Sequence, residues 1–552
     1  MQAPTDPVIA DVIVLGSGGA ALTAALTAKD FGAEDVIIVE KSNLIGGTTA
    51  MSGGMMWIPN NHHQHEVGIE DSWDDVVTYL DSLAPNQLDP ITLEAFLTGG
   101  PDMVRHLADH TPAKLRALAA LPDYQPDTPG AMTEGGRSLD NDPFDFIKLG
   151  NWATRVVPPK MGPPRRTSYH EDLVLGPREP AELAERELRD SRGRGQALIG
   201  ALLRAVLDRD IEIRFEHRAM ELIKEGPKVT GVVAETPDGP ITLRARSGVV
   251  IATGGFEWNQ ALVNTFLRGP MTGPVSVPEC EGDGLVMAMK IGAKLGNMAN
   301  AFWMPSALEY QPQHRDAKPN YLLCQHERTL PGSILVNQSG KRFIDEAANY
   351  NALGMGLLSF DPSSHSYPNL PYYLVFDHRY REKYTVFGFT PDRELSNMFH
   401  VAETLEALAE QIAIEPDALA ATVKRFNALV DQGNDTDFHR GNNSYDNFWG
   451  DPAFEAPFKT LGRIDQGPFY AVKMESGVLG TNGGPKTNEH AQVLDWQDQP
   501  IEGLYAAGNV MAAPLAMIYG GGGGTLGPAL TFGYLAGKHV GQLGARLGRK
   551  SA

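Results

Sequence analysis

The 552-residue chain contains two cysteines, Cys280 and Cys324. Neither has the CxxC or Cys/His spacing of a metal site, so a disulfide framework and a cysteine-based zinc site are both excluded. Positive charge is scarce as well. Against 68 Asp and Glu stand 47 Lys and Arg, a formal net charge of −21, which argues against nucleic-acid partners and weakly against an anionic membrane surface. No uninterrupted apolar run reaches the ~18 residues needed to cross a bilayer. The N-terminal stretch MQAPTDPVIADVIVLG lacks the basic n-region of a secretory signal. These absences predict a soluble, cytoplasmic protein, with peripheral membrane contact left open. The histidine-rich His62-His63-Gln64-His65-Glu66 reads as a solvated loop rather than a metal site, because adjacent histidines in a polar loop rarely converge, and no metal is expected. What is present, 42% apolar and 21% charged residues, suits a globular protein of two or three domains with a large core.

Residues 10–41 carry the first chemical signal. A β-branched run, Val12-Ile13-Val14, enters Gly16-Ser17-Gly18-Gly19-Ala20-Ala21; an alanine-rich helical segment follows, then Val36-Ile37-Ile38-Val39 ending at Glu40. This is the βαβ dinucleotide fingerprint GxGxxA with an acid about 20 residues on. Gly16 permits the tight turn, and Gly18 lets a pyrophosphate approach the unpaired N–H groups of a helix N-terminus. Ala21 allows close helix–strand packing, and Glu40 can accept hydrogen bonds from a ribose. Beyond Glu40, the run Lys41-Ser42 to Gly46-Gly47-Thr48-Thr49-Ala50-Met51-Ser52-Gly53-Gly54 offers backbone N–H and hydroxyl donors without bulk, as a flat isoalloxazine ring and ribityl chain require. Two later strands end in glycine: one leads into Ala252-Thr253-Gly254-Gly255, the other into Gly503-Leu504-Tyr505-Ala506-Ala507-Gly508-Asn509.

Together these motifs resemble the FAD-binding set of the succinate dehydrogenase/fumarate reductase flavoprotein superfamily, with Asn509 where that family usually has Asp. The resemblance implies FAD as cofactor and extends the cofactor-binding residues to Ala219, Asp283, Pro528 and Leu530. The expected fold class is α/β: a discontinuous Rossmann-like FAD-binding domain (1–290 and 480–552) holding an inserted α+β substrate-capping domain (291–479). The proline-rich stretch 155–192, part of a long region 145–192, reads as a surface excursion, and GQALIGALLRAVLDRD at 195–210 as a helix.

Fold and cofactor leave the reaction open. A dicarboxylate enzyme would place arginines and histidines beside the flavin, and no such arrangement is legible. Tyrosine and glycine stand there instead. Tyr124 follows Pro122-Asp123 in a turn-rich loop, Tyr350 follows Arg342-Phe343-Ile344-Asp345-Glu346-Ala347, and Tyr519 precedes five glycines, Gly520 to Gly524. This combination, with Ser52-Gly53-Gly54 and Ile58-Pro59-Asn60-Asn61, resembles the 3-ketosteroid Δ1-dehydrogenases over nearly the whole chain.

The resemblance implies 1,2-desaturation of a 3-ketosteroid, in steroid or sterol degradation. Tyr350 would take the C2 proton with Tyr124 as helper, and Tyr519 O–H and Gly523 N–H would stabilise the enolate oxygen. Hydride would pass from C1 to flavin N5. A glycine run then serves as a platform that lets the steroid A-ring reach the Gly523 N–H. Electrons would leave to a quinone or dye-like acceptor. Trp57, Trp303 and Phe302 are candidates for the apolar cavity wall. The rival expectations are a C4–C5 ketosteroid dehydrogenase, a fumarate-reductase-like enzyme and a non-catalytic flavoprotein.

Overall fold

A computed structural model describes residues 8–309 and 318–551, with side chains as far as residue 546. Two large sheets organise them. The first begins with β1 (Val8–Leu15), β2 (Val36–Val39), β3 (Glu212–Arg214), β4 (Arg218–Glu225), β5 (Lys228–Thr236) and β6 (Gly239–Ile251). A second is built from β7 (Gly273–Pro274), β8 (Ala301–Glu309), β9 (Asn320–Leu323), β10 (Ser333–Asn337), β11 (Tyr372–Phe376), β12 (Phe399–Ala402) and β13 (Phe469–Thr481). The chain then returns to the first sheet with β14 (Gln492–Leu494) and β15 (Pro500–Ala506).

Strand order in the first sheet is β14-β15-β6-β1-β2-β3, and β5 and β4 extend it from β6. Strands β15, β6, β1, β2 and β3 run parallel. Parallel strands are covered on both faces, which is why β2 reads VIIV without polar alternation and is wholly buried. Helix α1 (Gly19–Asp30) crosses from β1 to β2 and packs against the C-terminal helix α5 (Leu526–Ser551).

The closeness of that pair follows from sequence. Gly533, Gly537 and Gly541 recur about once per turn and face Ala20, Ala24 and Ala28; a Cβ on any of the three would overlap the opposing alanine's carbonyl. Three further helices position the site: α2 (Gly47–Met51), α3 (Arg194–Leu207) and α4 (Tyr350–Gly356).

The second sheet has the order β9-β8-β13-β11-β10, with β7 and β12 also paired to the long β13. A small third sheet, Met56–Trp57, Leu115–Ala119 and Gly135–Asn141, falls between β2 and β3 in sequence and frames the loop that carries Tyr124.

The 155–192 stretch lies at the surface for most of its length, with Leu173, Val174, Leu175 and Leu188 exposed and Val156 and Ser168 buried; Phe146 and Leu149, just ahead of it, are buried. The stretch is also tied to the glycine-rich loop, since Ile45 N donates to Arg155 O at 2.7 Å and Val157 N to Ile45 O at 2.9 Å. One expectation needs correction, that for the histidine segment, which is not fully solvated. His63 and Gln64 are buried on a single helical turn, and His63 and His65 contact Glu66 and Glu70 through Nδ1 at 2.9 and 3.0 Å.

Candidate active site

The C-terminal ends of β1, β2, β6 and β15 form the first half of the site. At Gly16 the backbone takes φ 101°, and a Cβ there would lie on the Ala252 carbonyl, so glycine is required twice over. Gly18 differs. A Cβ on it would meet nothing closer than 3.9 Å, which leaves room beside the N-terminus of α1, where no side chain caps the free N–H groups. Gly47 is similarly open, with Gly18 Cα at 3.7 Å. Thr49 Oγ1 accepts the Gly19 N–H at 3.1 Å and joins α2 to α1.

Glu40 stands at the end of β2, accepting from Ser17 Oγ at 2.6 Å and from Ser42 N at 2.8 Å. Burial raises its pKa, and these two hydrogen bonds oppose the rise. Ala219 neighbours it, two residues beyond His217, whose N–H donates to Glu40 O at 2.9 Å. Lys41 and Asp283 meet each other: the ammonium lies 2.8 Å from Asp283 and 3.0 Å from Glu281, and Arg218 also pairs with Asp283.

Thr48 Oγ1 accepts from Val277 N at 3.3 Å. Ser52 Oγ donates to Thr49 O and accepts from Gly54 N, at 2.7 and 3.1 Å. Across the cradle lie Ala252, Thr253 with its hydroxyl buried and unpartnered, and Gly254 at φ 75°. The Asn509 turn begins at Gly508, which packs near Ala20. Pro528 sits in the first turn of α5, where a missing N–H is harmless, and Leu530 packs on Gly19. Free N–H groups, small residues and a paired acid fit a dinucleotide, and the glycine-rich loop beyond Glu40 fits a flat ring.

Tyr124, Tyr350 and Tyr519 converge on the second half of the site, all buried. Tyr124 Oη donates to Tyr350 Oη at 2.8 Å, and Thr525 Oγ1 donates to Tyr519 Oη at 3.0 Å. The Tyr519 ring stacks on Tyr124 at 5.2 Å and stands edge-on to Tyr350 at 5.1 Å and Phe302 at 5.6 Å. Burial pushes all three phenols above the ordinary value, in Tyr350 with Tyr124 and Tyr519 adding to the rise. In the protein without ligand the three phenols surround one another, and Tyr350 shares a hydrogen bond with Tyr124.

The glycine run is also required by packing within the protein. Gly523 has φ 98°, and a Cβ there would come within 2.5 Å of the Met55–Met56 backbone. Gly520 and Gly521 lie flat on the Trp57 ring. Glycine is thus demanded by the protein's own packing, before any ligand. The run's carbonyls are engaged: Gly520 O accepts from Tyr124 N at 3.0 Å and Tyr79 Oη at 2.8 Å, Gly521 O from Gly524 N at 2.9 Å, and Gly523 O from Trp57 N at 3.1 Å and Gly527 N at 2.9 Å. Among the described residues the Gly523 N–H has no such partner. It lies just ahead of the 26-residue α5, at the end where the helix dipole favours negative charge.

Of the apolar candidates, Phe302 belongs to this cluster and Trp57 lies beneath the glycines, whereas Trp303 packs into a separate core against Gly354. A cleft of about 450 Å³ lies elsewhere, against residues 112–116 and 141–148, and its Arg116 and Arg186 are taken up by Asp142 and Glu171.

The model of the FAD binding domain family matches residues 11–526. The chain belongs to that family. A 4-oxocyclohexanecarboxylate 2-dehydrogenase of Sinomonas cyclohexanicum is 40% identical to this flavoprotein over 538 residues, covering 96% of this chain and 92% of the relative. A 3-oxosteroid 1-dehydrogenase of Mycobacterium tuberculosis is 36% identical over 562 residues, covering 96% and 98%. The crystal structure of a 3-ketosteroid delta1-dehydrogenase from Sterolibacterium denitrificans, in complex with 1,4-androstadiene-3,17-dione, superposes with a TM-score of 0.86 at 34% identity over 97% of this chain and 99% of that one. The flavoprotein is an FAD-dependent dehydrogenase of the succinate dehydrogenase/fumarate reductase group. Its fold also matches an open-form flavocytochrome c3 fumarate reductase, at 24% identity and a TM-score of 0.68.

Sequence reasoning missed the side chains that hold the tyrosines in place. Asn349 caps α4 by accepting from Ala352 N at 2.9 Å and donates to Tyr124 O at 3.1 Å, while Asn351 donates to Met517 O at 3.3 Å. Tyr350 is thereby clamped between the loops of the other two tyrosines. Asp123 accepts from Trp57 Nε1 at 2.8 Å and from Arg137 at 2.6 Å, so the acid beside Tyr124 is an anchor. Glu346, in the motif before Tyr350, pairs with buried Arg342 and Arg440. Polar residues flanking each tyrosine were the available signal.

Proposed function

We propose that this flavoprotein desaturates a ring ketone beside its carbonyl, acting as a 3-oxosteroid 1-dehydrogenase on a 3-ketosteroid during steroid or sterol breakdown. The convergence of three buried phenols and the free Gly523 N–H carries this reading, because α,β-desaturation needs an enolate-stabilising pair and a base on one ring. Bound FAD supplies the hydride acceptor. Tyr519 O–H and Gly523 N–H hold the C3 oxygen, and the N-terminus of α5 favours the negative charge that develops there. Tyr350 takes the C2 proton, and Tyr124, hydrogen-bonded to it, passes charge away from the phenol. The buried apolar and aromatic side chains around the tyrosines would keep water from the reacting carbons.

The cofactor would lie along Gly16 to Ala21, Glu40 to Ser42, Gly47 to Thr49, Ser52 to Gly54, Ala219, Ala252 to Gly254, Asp283, Asn509, Pro528 and Leu530. It would sit between FAD-binding segments 1–290 and 480–552 and a capping domain at 291–479. Reduced enzyme would pass electrons to a quinone-like acceptor, approached in solution or at a membrane surface. No helix among the described residues is long and apolar enough to cross a membrane.

The 40% identity to a dehydrogenase of a monocyclic oxo acid supports a second reading, in which the same bond chemistry is applied to a smaller ring. Purified holoenzyme given androst-4-ene-3,17-dione and an artificial electron acceptor should form the 1,4-diene-3-one. Turnover of succinate or fumarate with no product from any ring ketone would refute the proposal.

A further inference from the structure

Beyond the tyrosines, the cluster continues along Tyr445, whose ring stands 4.9 Å from Tyr124, to Trp449, which contacts both Tyr169 and His326 at 6.1 and 5.1 Å. His326 is exposed at this end of the cluster, and desolvation by its surroundings, followed by Arg194, Arg165 and Arg328, lowers its pKa to about 4.

Tyr169 comes from the 145–192 excursion and closes this end of the space over Gly53, where a Cβ would be 2.9 Å from the ring. Arg194 covers the other face of the same ring, with Cζ 3.2 Å from the centroid. Its backbone packs on Gly54, in the loop that fits a flat ring.

This end of the cluster is polar, and several of its polar atoms have no partner among the described residues. Gln325 Oε1 and Nε2, Tyr445 Oη, Trp449 Nε1 and Arg194 Nε are all buried without a hydrogen-bond partner. Gln325, Tyr445 and Trp449 are less than a tenth exposed. Buried polar groups are normally satisfied, so such a concentration points to a ligand that completes them. The set is rich in donors: indole and guanidinium N–H groups can only donate, and the amide and the neutral imidazole can each donate as well. Asp172, at the opening of the excursion, takes one edge of Arg194 and leaves Nε directed inward. A hydrocarbon terminus would leave these donors dry, and a single neutral carbonyl would satisfy one or two. A carboxylate, with about four acceptor sites, suits the guanidinium and its neighbours.

We infer that the end of the aromatic cluster formed by Arg194, His326, Gln325 and Trp449 is a carboxylate-binding subsite, so that the preferred substrate is a ring ketone bearing an acidic group at the end away from the carbonyl. The inference rests on the ring-ketone reading above and adds substrate class to it. Two sources share this chemistry, a monocyclic oxo acid and a 3-oxosteroid with an acidic side chain.

The test uses the holoenzyme with paired acids and methyl esters: 4-oxocyclohexanecarboxylate and its ester, and 3-oxochol-4-en-24-oate and its ester. In the native protein kcat/KM should favour the acid over its ester at least tenfold in one pair, and the pair that does so identifies the source. The ratio should fall to within about twofold of one in Arg194→Gln and persist in Arg194→Lys, which keeps the charge if the glutamine variant folds poorly. Equal use of acid and ester in both pairs overturns the subsite while leaving ring-ketone desaturation intact.

A binding readout separates the two claims. 4-Hydroxybenzoate and its methyl ester are titrated against the flavin absorbance spectrum. If no ketone is turned over but the acid still binds at least tenfold tighter than the ester, and Arg194→Gln abolishes that difference, the subsite stands and the proposed reaction falls. Absence of both turnover and acid preference overturns both.

Discussion

Replacing Tyr519 by phenylalanine separates chemistry from packing at the centre of the site. The ring stays, with its contacts to Tyr124, Tyr350 and Phe302. One oxygen leaves, and in the protein without ligand it accepts from Thr525 Oγ1 at 3.0 Å, a half-buried residue. Loss of one such hydrogen bond should cost about 0.5–1.5 kcal/mol of stability. For a domain of this size that lowers Tm by only a few degrees.

The same oxygen is proposed to hold the developing enolate together with Gly523 N–H. Removal of one preorganised oxyanion donor typically lowers kcat by about 10²–10³-fold, or ~2.7–4 kcal/mol. The assay is flavin reduction by a ring ketone in a stopped-flow instrument, with thermal unfolding of the same preparation. A fall in the reduction rate of about two to three orders, with FAD content and Tm nearly unchanged, is expected. A reduction rate within tenfold of the native value would refute the reasoning, because it would leave Tyr519 as a packing residue.

Three other outcomes follow from named contacts. Because burial raises the phenol of Tyr350 and a base must lose its proton to act, the reduction rate should climb about tenfold per pH unit above neutrality, without levelling before the ordinary phenol value near ~10; a plateau below pH ~8 in the rate profile would contradict this. Gly18→Ala adds a methyl where the protein leaves open space, 3.9 Å from its nearest neighbour, so the apoprotein should unfold at nearly the native temperature while its FAD content drops sharply; unchanged FAD content in the purified variant would count against a cradle at that position. Arg137→Met leaves Asp71 and Asp123 buried without their partner, and should destabilise the protein by about 3–5 kcal/mol in denaturant titrations; a loss below about 1 kcal/mol would mean that those carboxylates find other partners.

The dinucleotide half of the fold was legible because its requirements are local. A strand, a turn that tolerates only glycine, a helix of small residues and a terminal acid lie within the 33 residues from Val8 to Glu40, and each has its own steric or electrostatic reason. The partnership of α1 with α5 was also written in sequence, as alanines and glycines at four-residue steps, but only their encounter in space gives the spacing meaning. The tyrosines were found through the motifs around them.

Their contacts were not readable, since Tyr124 and Tyr350 are 226 residues apart in the chain. The clamp by Asn349 and the network behind Glu346 depend on that long-range approach. So does the end wall made by Tyr169, Arg194 and His326, drawn from the excursion, the start of α3 and a loop of the second sheet. Composition gave the 155–192 excursion as surface, which holds for most of it; what composition could not give is its tie to the glycine-rich loop, where Val157 N donates to Ile45 O. The glycine run was a visible landmark, but its packing against Trp57 and the Met55 backbone, which forbids side chains there, was not readable from the sequence.

The central claim is that a ring ketone delivers hydride to the bound FAD while its α-proton is removed at the tyrosine cluster. The most direct measurement is a single turnover without oxygen: holoenzyme is mixed with androst-4-ene-3,17-dione, 3-oxochol-4-en-24-oate or 4-oxocyclohexanecarboxylate, and the oxidised-flavin absorbance band and the extracted product are followed together. The account predicts that the band bleaches and that the bleached fraction equals the amount of new α,β-double bond. Persistence of the oxidised band with every ring ketone, in a protein whose flavin is reduced by succinate instead, would contradict it.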